Sequence, residues 1–262
     1  MTASDENTLW QQLQQEAEQE TVREPVLAAF LHQRILSQNG FSAALANHIA
    51  ALLESATAST ETLRDTFLEA LDSDPAIVIA AIADITAIHQ RDSACTDYST
   101  PFLYYKGYHA LQSYRVAHWL WRQGRHELAY FLQSQTSNRF SVDIHPAAQI
   151  GAGLMLDHAN GIVIGETSVI SDDVSIMQAV TLGGTGKTSG DRHPKIGRGV
   201  LIGAGSKILG NIRIGEGAQI CAGSVVLEEV PPHTVAAGVP ATIVGEPSED
   251  MPSLYMDQQL KT

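Results

Sequence analysis

Histidines, carboxylates and an arginine cluster in three short segments of the second half of the chain, where their types and spacing are suited to chemistry. The segments are VDIHPAAQ (142–149) with Asp143 and His145, LDHANG (156–161) with Asp157 and His158, and GGTGKTSGDRHPK (183–195) with Arg192 and His193. A carboxylate that holds one imidazole nitrogen protonated leaves the other nitrogen as a base near neutral pH. We therefore predict that Asp143 and His158 form a pair that takes a proton from an alcohol.

The third segment contains a glycine-rich string, GGTGKTSG (183–190), which invites comparison with a phosphate-binding loop. It lacks the GxxxxGK[ST] spacing of that motif and follows a predicted strand without opening a helix. We interpret the segment instead as a flexible loop that covers a substrate, with Lys187 and Lys195 as further cations.

The two cysteines, Cys95 and Cys221, are too few and too far apart for a disulfide framework or a zinc knuckle. Cys221 has no adjacent basic residue to lower its pKa, so we do not expect it to act as a nucleophile. The sequence therefore favours direct group transfer over a covalent intermediate.

A six-residue repeat supplies the scaffold for these segments. Aliphatic residues recur with this period, with a slip of two after Leu156 and a longer break between Leu182 and Ile196. The repeat positions are Ile144, Ile150, Leu156, Ile164, Ile170, Ile176, Leu182, Ile196, Ile202, Ile208, Ile214, Ile220 and Val226. Because three short strands and three tight corners close a coil of 18 residues, the repeat predicts a parallel β-helix with the aliphatic side chains inside.

The repeat also bears on the predicted pair. Asp143 precedes His158 by 15 residues, less than one coil, so the two side chains are expected on neighbouring coils. An interior packed with aliphatic residues leaves no cavity, so the chemistry must take place outside the prism or between subunits.

The first 140 residues have a different composition: only Gly40, Gly107 and Gly124 of the 21 glycines lie there, together with all aromatic residues except Tyr255. Apolar residues three and four apart predict helices. The predicted helices cover about 6–20, 24–38, 42–55, 60–72, a segment beginning at Asp74-Pro75, 100–124 and 126–138. The fold class is therefore α+β, with a helical N-terminal domain (1–140), a β-helix domain with a protruding loop (141–245) and a C-terminal tail (246–262).

Composition excludes several classes of function. The chain of 262 residues carries 16 Lys and Arg against 29 Asp and Glu, and its formal charge of −13 is divided between both halves. Nucleic acid and anionic membranes are therefore not expected as partners. No apolar stretch is long enough to span a membrane and the N-terminus is acidic, so we predict a cytoplasmic protein.

Six motifs together resemble bacterial serine O-acetyltransferase, a family of the hexapeptide-repeat acyltransferases. They are YSTPFLYYKGYHALQSYRVAHWLW, VDIHPAAQIGAG, LDHANGIVIGET, VTLGGTGKTSGDRHPKIG, IGAGSKILGNI and AAGVPATIVG. The resemblance runs from about residue 5 to residue 258 and implies that the β-helix is left-handed. It also implies transfer of an acetyl group from acetyl-CoA to the hydroxyl of L-serine, for cysteine biosynthesis.

The resemblance implies a role for each site residue. Catalytic residues of the family fall on His158, Asp143 and His193, and serine-binding residues on Asp92, Asp157, Arg192 and His193. The pantetheine arm of the co-substrate is expected near Gly184, Ala204 and Ala222, with Lys207, Arg213 and Arg198 as alternatives for its phosphates. Neither a metal nor a tightly bound cofactor is expected.

The resemblance also implies partners. Cysteine is expected as a feedback inhibitor at the serine site, and the assembly as a homotrimer or a dimer of trimers, with the site between neighbours. Members often end in an isoleucine that docks into O-acetylserine sulfhydrylase. This chain ends in MDQQLKT, so the sulfhydrylase is kept only as a weaker candidate partner if Thr262 is the natural terminus.

Three other functions are compatible with a β-helix. The first is a hexapeptide acetyltransferase acting on a sugar or a xenobiotic, against which Asp92 and Asp157 argue for an amino-acid acceptor. The second is a zinc hydratase with His145, His158 and His193 at a subunit interface, which leaves Asp143 and Arg192 unexplained. The third is a purely structural assembly domain, which does not call for the loop at 183–195.

Overall fold

The structure is a computed structural model that describes residues 3–186 and 189–258, so Lys187 and the last four residues lie outside the described part. The helices are α1 (Ala3–Arg23), α2 (Ala28–Leu31), α3 (Phe41–Leu53), α4 (Thr60–Ser73), α5 (Pro75–Arg91), α6 (Ser99–Tyr104), α7 (Lys106–Arg122), α8 (His126–Phe140) and α9 (Pro252–Tyr255). Every helix within the described residues is too short or too polar to cross a bilayer.

Local signals in the sequence account for α5. The carboxylate of Asp74 accepts a hydrogen bond from the Ala76 amide at 3.2 Å, and Pro75 occupies the first turn, where it sacrifices no helical hydrogen bond. An apolar stripe along this helix faces the core. Its members are Ile77, Val78, Ala81, Ile82, Ile85 and Ile88, and all are buried. The prediction of this helix is confirmed.

Two predicted helices are interrupted. The segment 24–38 contains a 3₁₀ turn (Pro25–Leu27), α2 and a π-helical turn (His32–Leu36) in place of one helix. The segment 100–124 breaks at Tyr105, whose backbone is extended (φ −83°, ψ 106°). As a result Tyr104, before the break, is 53% exposed, while Tyr108 beyond it is buried.

The second half of the chain consists of short strands. They are β1 (Val142–Ile144), β2 (Gln149–Ile150), β3 (Met155–Leu156), β4 (Ile162–Ile164), β5 (Val169–Ile170), β6 (Ser175–Ile176), β7 (Thr181–Gly183), β8 (Lys195–Ile196), β9 (Leu201–Ile202), β10 (Lys207–Leu209), β11 (Arg213–Ile214), β12 (Gln219–Ile220), β13 (Val225–Val226), β14 (Val235–Gly238) and β15 (Ala241–Gly245). Parallel pairing builds three sheets, in the orders β1-β4-β7-β10-β13, β2-β5-β8-β11 and β3-β6-β9-β12-β14, and β15 pairs antiparallel with β14.

The strand register confirms the six-residue repeat and the parallel β-helix. The aliphatic residues form three stacked columns, one on each sheet. The columns are Ile144-Ile164-Leu182-Ile208-Val226, Ile150-Ile170-Ile196-Ile214 and Leu156-Ile176-Ile202-Ile220. Apart from the half-buried Ile150, these side chains are at most 5% exposed, so the prism interior is an apolar core.

Both irregularities of the repeat leave the prism at a corner. Ile144 pairs with Ile164, two residues beyond one coil, and the extra residues lie in the turn between β3 and β4. Leu182 pairs with Ile208, and the additional residues lie in the loop between β7 and β8. The columns therefore stay aligned, and the inserted residues are displayed on the surface.

A buried ion pair joins the helical region to the β-helix. Asp84 on α5 is fully buried, and its carboxylate accepts hydrogen bonds from Nε and Nη2 of Arg115 on α7 at 3.0 and 2.6 Å. The same carboxylate accepts the Leu154 amide at 2.9 Å, and Arg115 donates to the Gly151 carbonyl at 2.8 Å. The Asp84 carboxylate thus joins α5 and α7 to one corner of the first coil.

The segment after β15 folds back onto the prism. Ser253 on α9 donates to the carbonyl of Asp173, and the Ser175 hydroxyl donates to the carbonyl of Ser253 at 3.0 Å. This part of the predicted tail therefore packs against the second and third coils.

We expect Asp84→Ala to lower the free energy of unfolding by about 3–5 kcal/mol, because it leaves the Arg115 guanidinium buried without its counter-charge. Asp65→Ala, which breaks the exposed pair of Asp65 with Arg64, should cost less than about 1 kcal/mol. Urea denaturation of both variants at one protein concentration measures the difference. Equal losses would contradict the role given to Asp84.

Two buried histidines should make the stability of the fold sensitive to acid. His48 and His109 are 1% and 3% exposed, and their rings lie 5.0 Å apart. Burial lowers the pKa of His48 to about 2 and that of His109 to about 4, below the ordinary value of 6.5. Because the unfolded chain binds these protons more readily, the stabilising contribution is complete above pH 6.5 and is lost as the pH falls below it.

Lowering the pH from 7 to 5 should reduce the free energy of unfolding by about 2 kcal/mol for each of the two buried histidines. His48→Gln is expected to flatten this dependence by about one proton, whereas His32→Gln at an exposed position should leave it unchanged. The measurement is the urea midpoint of each variant at several pH values. A wild-type slope in His48→Gln would show that His48 does not titrate on unfolding.

Candidate functional site

The two-residue insertion creates the first polar corner, which we call the His158 corner (residues 157–161). Its turn places His158 and Ala159 in the left-handed region, with φ values of 53° and 60°. Such backbone is costly for residues other than glycine and is concentrated at functional sites. The turn directs His158 into solvent, where its side chain is 72% exposed.

Helical residues complete a pocket at the His158 corner. A cavity of about 440 Å³ is lined by Asp157 and His158 from the corner, by Asp92 after α5, and by Tyr105 and Lys106 at the break between α6 and α7. The break brings α7 into close contact with the corner. A Cβ atom on Gly107 would collide with the Leu156 carbonyl, so only glycine allows this approach.

The pocket concentrates negative charge. Burial, together with the nearby Asp92 carboxylate, raises the pKa of Asp157. Burial and contact with Asp92 raise the pKa of Tyr105 to about 12, so this phenol stays protonated. Two carboxylates that repel each other would be stabilised by a bound cation.

The protruding loop returns to the prism at a second corner, which we call the loop corner (residues 165–167 and 189–195). Here Arg192 donates to the Glu166 carboxylate at 2.6 Å, and this bond lowers the pKa of Glu166. His193 lies over Gly165, is 7% exposed, and accepts a hydrogen bond from the Thr167 amide at Nδ1 (3.1 Å). The corner therefore presents a guanidinium and an imidazole side by side.

The first coil adds Asp143 and His145 on the same side as the loop corner. Gln133 on α8 donates to the Asp143 carboxylate at 2.7 Å. His145 accepts a hydrogen bond from the Ala147 amide at Nδ1 (3.0 Å). Burial is the main reason that the pKa of His145 is lowered. The charges of Asp143, Glu166 and Arg192 all act on this imidazole.

Within one chain the predicted site residues divide into two half-sites. Asp92, Asp157 and His158 form the first, and Asp143, Arg192 and His193 lie with the second. In the described residues His158 has Asp157 within ion-pair range (Nε2 to Oδ1, 3.9 Å), and no hydrogen bond or ion pair joins it to Asp143. The pairing of His158 with Asp143 stays a prediction.

The proposed co-substrate contacts are divided in the same way. Ala204 and Ala222 lie on successive coils at turns stacked above the His158 corner, and the Gly223 amide bonds to the Ala204 carbonyl at 2.8 Å. Gly184 lies instead beside Arg192, at the start of the protruding loop.

Sequence reasoning missed four residues of these half-sites: Gln133, Glu166, Thr167 and Tyr105. Glu166 and Thr167 stand directly after the repeat glycine in VIGET. Their polar side chains at a predicted corner were the signal that could have marked them as site residues. Gln133 and Tyr105 belong to helices, and their positions depend on how those helices pack on the prism.

Within one chain, the three histidines considered for zinc do not come together. His158 lies in the first half-site and His145 and His193 with the second, and the described residues contain no cluster of three potential metal ligands. His145 and His193 each use Nδ1 to accept an amide hydrogen bond, so the proton resides on Nε2, the nitrogen a metal would need.

A helical region mounted on a parallel β-helix built from six-residue repeats is the architecture of a hexapeptide-repeat protein. Residues 9–113 match the family described as serine acetyltransferase, N-terminal, and residues 193–228 match bacterial transferase hexapeptide (six repeats). The serine acetyltransferase of Salmonella typhimurium (strain LT2) is 58% identical over 250 residues, which cover 95% of this chain and 92% of that protein. The chain belongs to the serine acetyltransferase family.

Solved structures agree with this assignment. The crystal structure of serine acetyltransferase from Vibrio cholerae O1 biovar El Tor N16961 has a TM-score of 0.96 at 58% identity and covers 97% of this chain and 98% of that one. Soybean serine acetyltransferase complexed with serine has a TM-score of 0.91 at 53% identity, covering 93% and 100%.

Two further solved structures contain other ligands. One is a serine acetyltransferase in complex with cysteine, with a TM-score of 0.95 at 52% identity, covering 98% of this chain and 100% of that one. The other is the enzyme of Brucella abortus strain S19 in complex with coenzyme A, with a TM-score of 0.90 at 52% identity, covering 91% and 96%.

We expect Gly165→Ala to lower serine acetyltransferase activity at least tenfold, because the added methyl group would occupy the space of the His193 ring and displace it. Gly245→Ala is the matched control, since a Cβ atom there meets nothing within 4 Å. Initial rates of both purified variants, with circular dichroism as a check on folding, provide the test. Normal activity in Gly165→Ala would mean that the position of His193 is not needed.

Proposed function

We propose that this enzyme transfers the acetyl group of acetyl-CoA to the hydroxyl of L-serine, with His158 as the general base. One observation carries the proposal: in a chain of this family, an exposed imidazole shares a pocket with the carboxylates of Asp92 and Asp157. An imidazole suits a hydroxyl acceptor, and paired carboxylates suit the ammonium group of an amino acid.

The complete site forms between two copies of the chain. Each chain presents the His158 corner on one side of its first sheet and the loop corner on the other. In a cyclic trimer, the His158 corner of one copy faces the loop corner of the next, so each site receives both half-sites. The same arrangement brings Asp143 to the second nitrogen of the His158 ring.

Charge complementarity orients serine in this site. Asp92 and Asp157 bind its ammonium group, which offsets both the burial and the repulsion from Asp92 that raise the pKa of Asp157. Arg192 and His193 bind its carboxylate, and Glu166 holds the guanidinium in position. Cysteine carries the same ammonium and carboxylate groups, so it is expected to compete with serine as an inhibitor.

Acetyl transfer then proceeds by direct attack of the serine hydroxyl on the thioester, without a covalent acetyl-enzyme. His158 removes the proton from the serine hydroxyl as its oxygen forms a bond to the thioester carbon. When the carbon–sulfur bond breaks, the CoA thiolate takes the proton back from the imidazolium, giving O-acetylserine and CoA. Asp143 holds the other ring nitrogen protonated throughout.

Acetyl-CoA is expected along the groove between two prisms. Ala204 and Ala222 of one copy and Gly184 of the next leave room for the thin pantetheine arm. Lys207 is the best placed of the three candidate cations, since it lies on the first sheet, whereas Arg198 is bound to Asp173 and lines a different groove with Arg213. Burial raises the pKa of Cys221, which supports direct transfer without an acyl-cysteine.

His158→Ala is expected to lower kcat at least 100-fold, the typical contribution of a general base, while binding of acetyl-CoA and assembly remain intact. Release of CoA thiol with and without L-serine gives the rate, and calorimetry with CoA gives the affinity. The control is His126→Ala on α8, outside both half-sites. Near-normal turnover in His158→Ala would remove this residue as the base, and preference for a sugar over serine would reject the acceptor.

Mixing inactive variants tests the shared site. In a trimer assembled at random from equal amounts of His158→Ala and Arg192→Ala chains, about a quarter of the sites should receive an intact half from each copy. Activity near a quarter of wild type after joint refolding supports the proposal. Absence of recovery, with mixed trimers confirmed by mass spectrometry, would place the whole site within one chain.

A further inference from the structure

Thr167 forms an unusual concentration of hydrogen bonds at the loop corner. Its hydroxyl oxygen accepts the backbone amides of Arg192 and His193 at 3.0 and 3.1 Å. Its carbonyl accepts the Lys195 ammonium at 2.6 Å. One residue of the prism therefore holds the returning end of the protruding loop.

The same residue determines which nitrogen of His193 carries the proton. The Thr167 amide lies 3.1 Å from Nδ1 and can only donate, so Nδ1 must be an unprotonated acceptor. The hydroxyl of Thr167 lies 2.9 Å from the same nitrogen. Since its oxygen already accepts two amides, the hydroxyl is left to donate, and its acceptors are Nδ1 and the nearby Asp191 carboxylate.

The remaining ring nitrogen of His193 points away from these contacts. No hydrogen bond in the described part of the chain ends on Nε2, which carries the ring proton. Protonating Nδ1 as well would break the hydrogen bond from the Thr167 amide, and burial and the nearby Arg192 further disfavour the imidazolium by lowering the pKa of His193.

We propose that Thr167 is a positioning residue that locks His193 in the Nε2–H tautomer, so that His193 acts as a fixed hydrogen-bond donor to the acceptor's carboxylate and not as a base. The role of His193 rests on the proposed function, because it requires an acceptor that carries a carboxylate beside Arg192. The tautomer itself does not depend on that function.

Substitutions at Thr167 test the lock. Thr167→Val keeps the shape but removes the hydroxyl, and we expect it to raise KM for serine about tenfold while KM for acetyl-CoA changes less than twofold. Thr167→Ser restores the hydroxyl and should recover most of this loss. Equal KM values in wild type and Thr167→Val would overturn the proposal.

Substitutions at His193 separate a donor from a base. The side-chain amide of Gln reaches the position of Nε2 and can donate, whereas that of Asn lies near Nδ1. A donor role predicts that His193→Gln retains at least tenfold more kcat/KM for serine than His193→Asn or His193→Ala. If all three variants are equally impaired, the donor role is wrong.

A spectroscopic readout makes the tautomer testable without turnover. In protein with ¹³C-labelled histidine, the Cδ2 shift of His193, assigned by its loss in His193→Gln, should report the Nε2–H form in wild type and also in Thr167→Val, which keeps the backbone amide that donates to Nδ1. His145, whose Nδ1 is held by the Ala147 amide alone, serves as the internal control and should not change. A wild-type His193 in the Nδ1–H form would overturn the lock, even if serine proved to be the wrong acceptor.

Discussion

The structure depends on one constraint: each coil of the prism must return its aliphatic side chains to the same three columns. A side chain such as Ile164 is stable only between Ile144 below and Leu182 above it, in an interior that excludes water. Extra residues therefore cannot be absorbed by the strands. They accumulate at corners, and both insertions in this chain lie at the corners that carry the candidate site.

The helical region adds what a repeat cannot supply. A solenoid coil contacts only its neighbours, so its outer surface lacks a deep pocket. Helices α5 and α7 are anchored on the first coil through Asp84 and Arg115, and this places Asp92, Tyr105 and Lys106 against the His158 corner. The buried ion pair thus determines where one wall of the pocket lies, whatever its net contribution to stability.

The two half-sites have opposite character, which is the physical reason to expect a shared site. The His158 corner combines two carboxylates with an exposed imidazole, and the loop corner presents a guanidinium and a hydrogen-bond donor. Under the proposed function, each alone would recognise half of an amino acid. Together they match its ammonium, carboxylate and hydroxyl groups, and this match also explains why serine and cysteine would compete.

The β-helix and the start of α5 were predictable from the sequence because they depend on the local spacing of residue types. The period of six fixed the columns, the β-helix and the two insertions, and Asp74-Pro75 marked the start of α5. The break at Tyr105 was not predictable, since it depends on the contact between Gly107 and the Leu156 carbonyl across the interface with the prism. The hydrogen bonds of Thr167, 25 and 26 residues from Arg192 and His193, likewise exist only once the loop has returned to its corner. Sequence determined which residues were available for chemistry, because type and period are local properties. Tertiary structure alone decided which of them meet, because that depends on how separate elements pack.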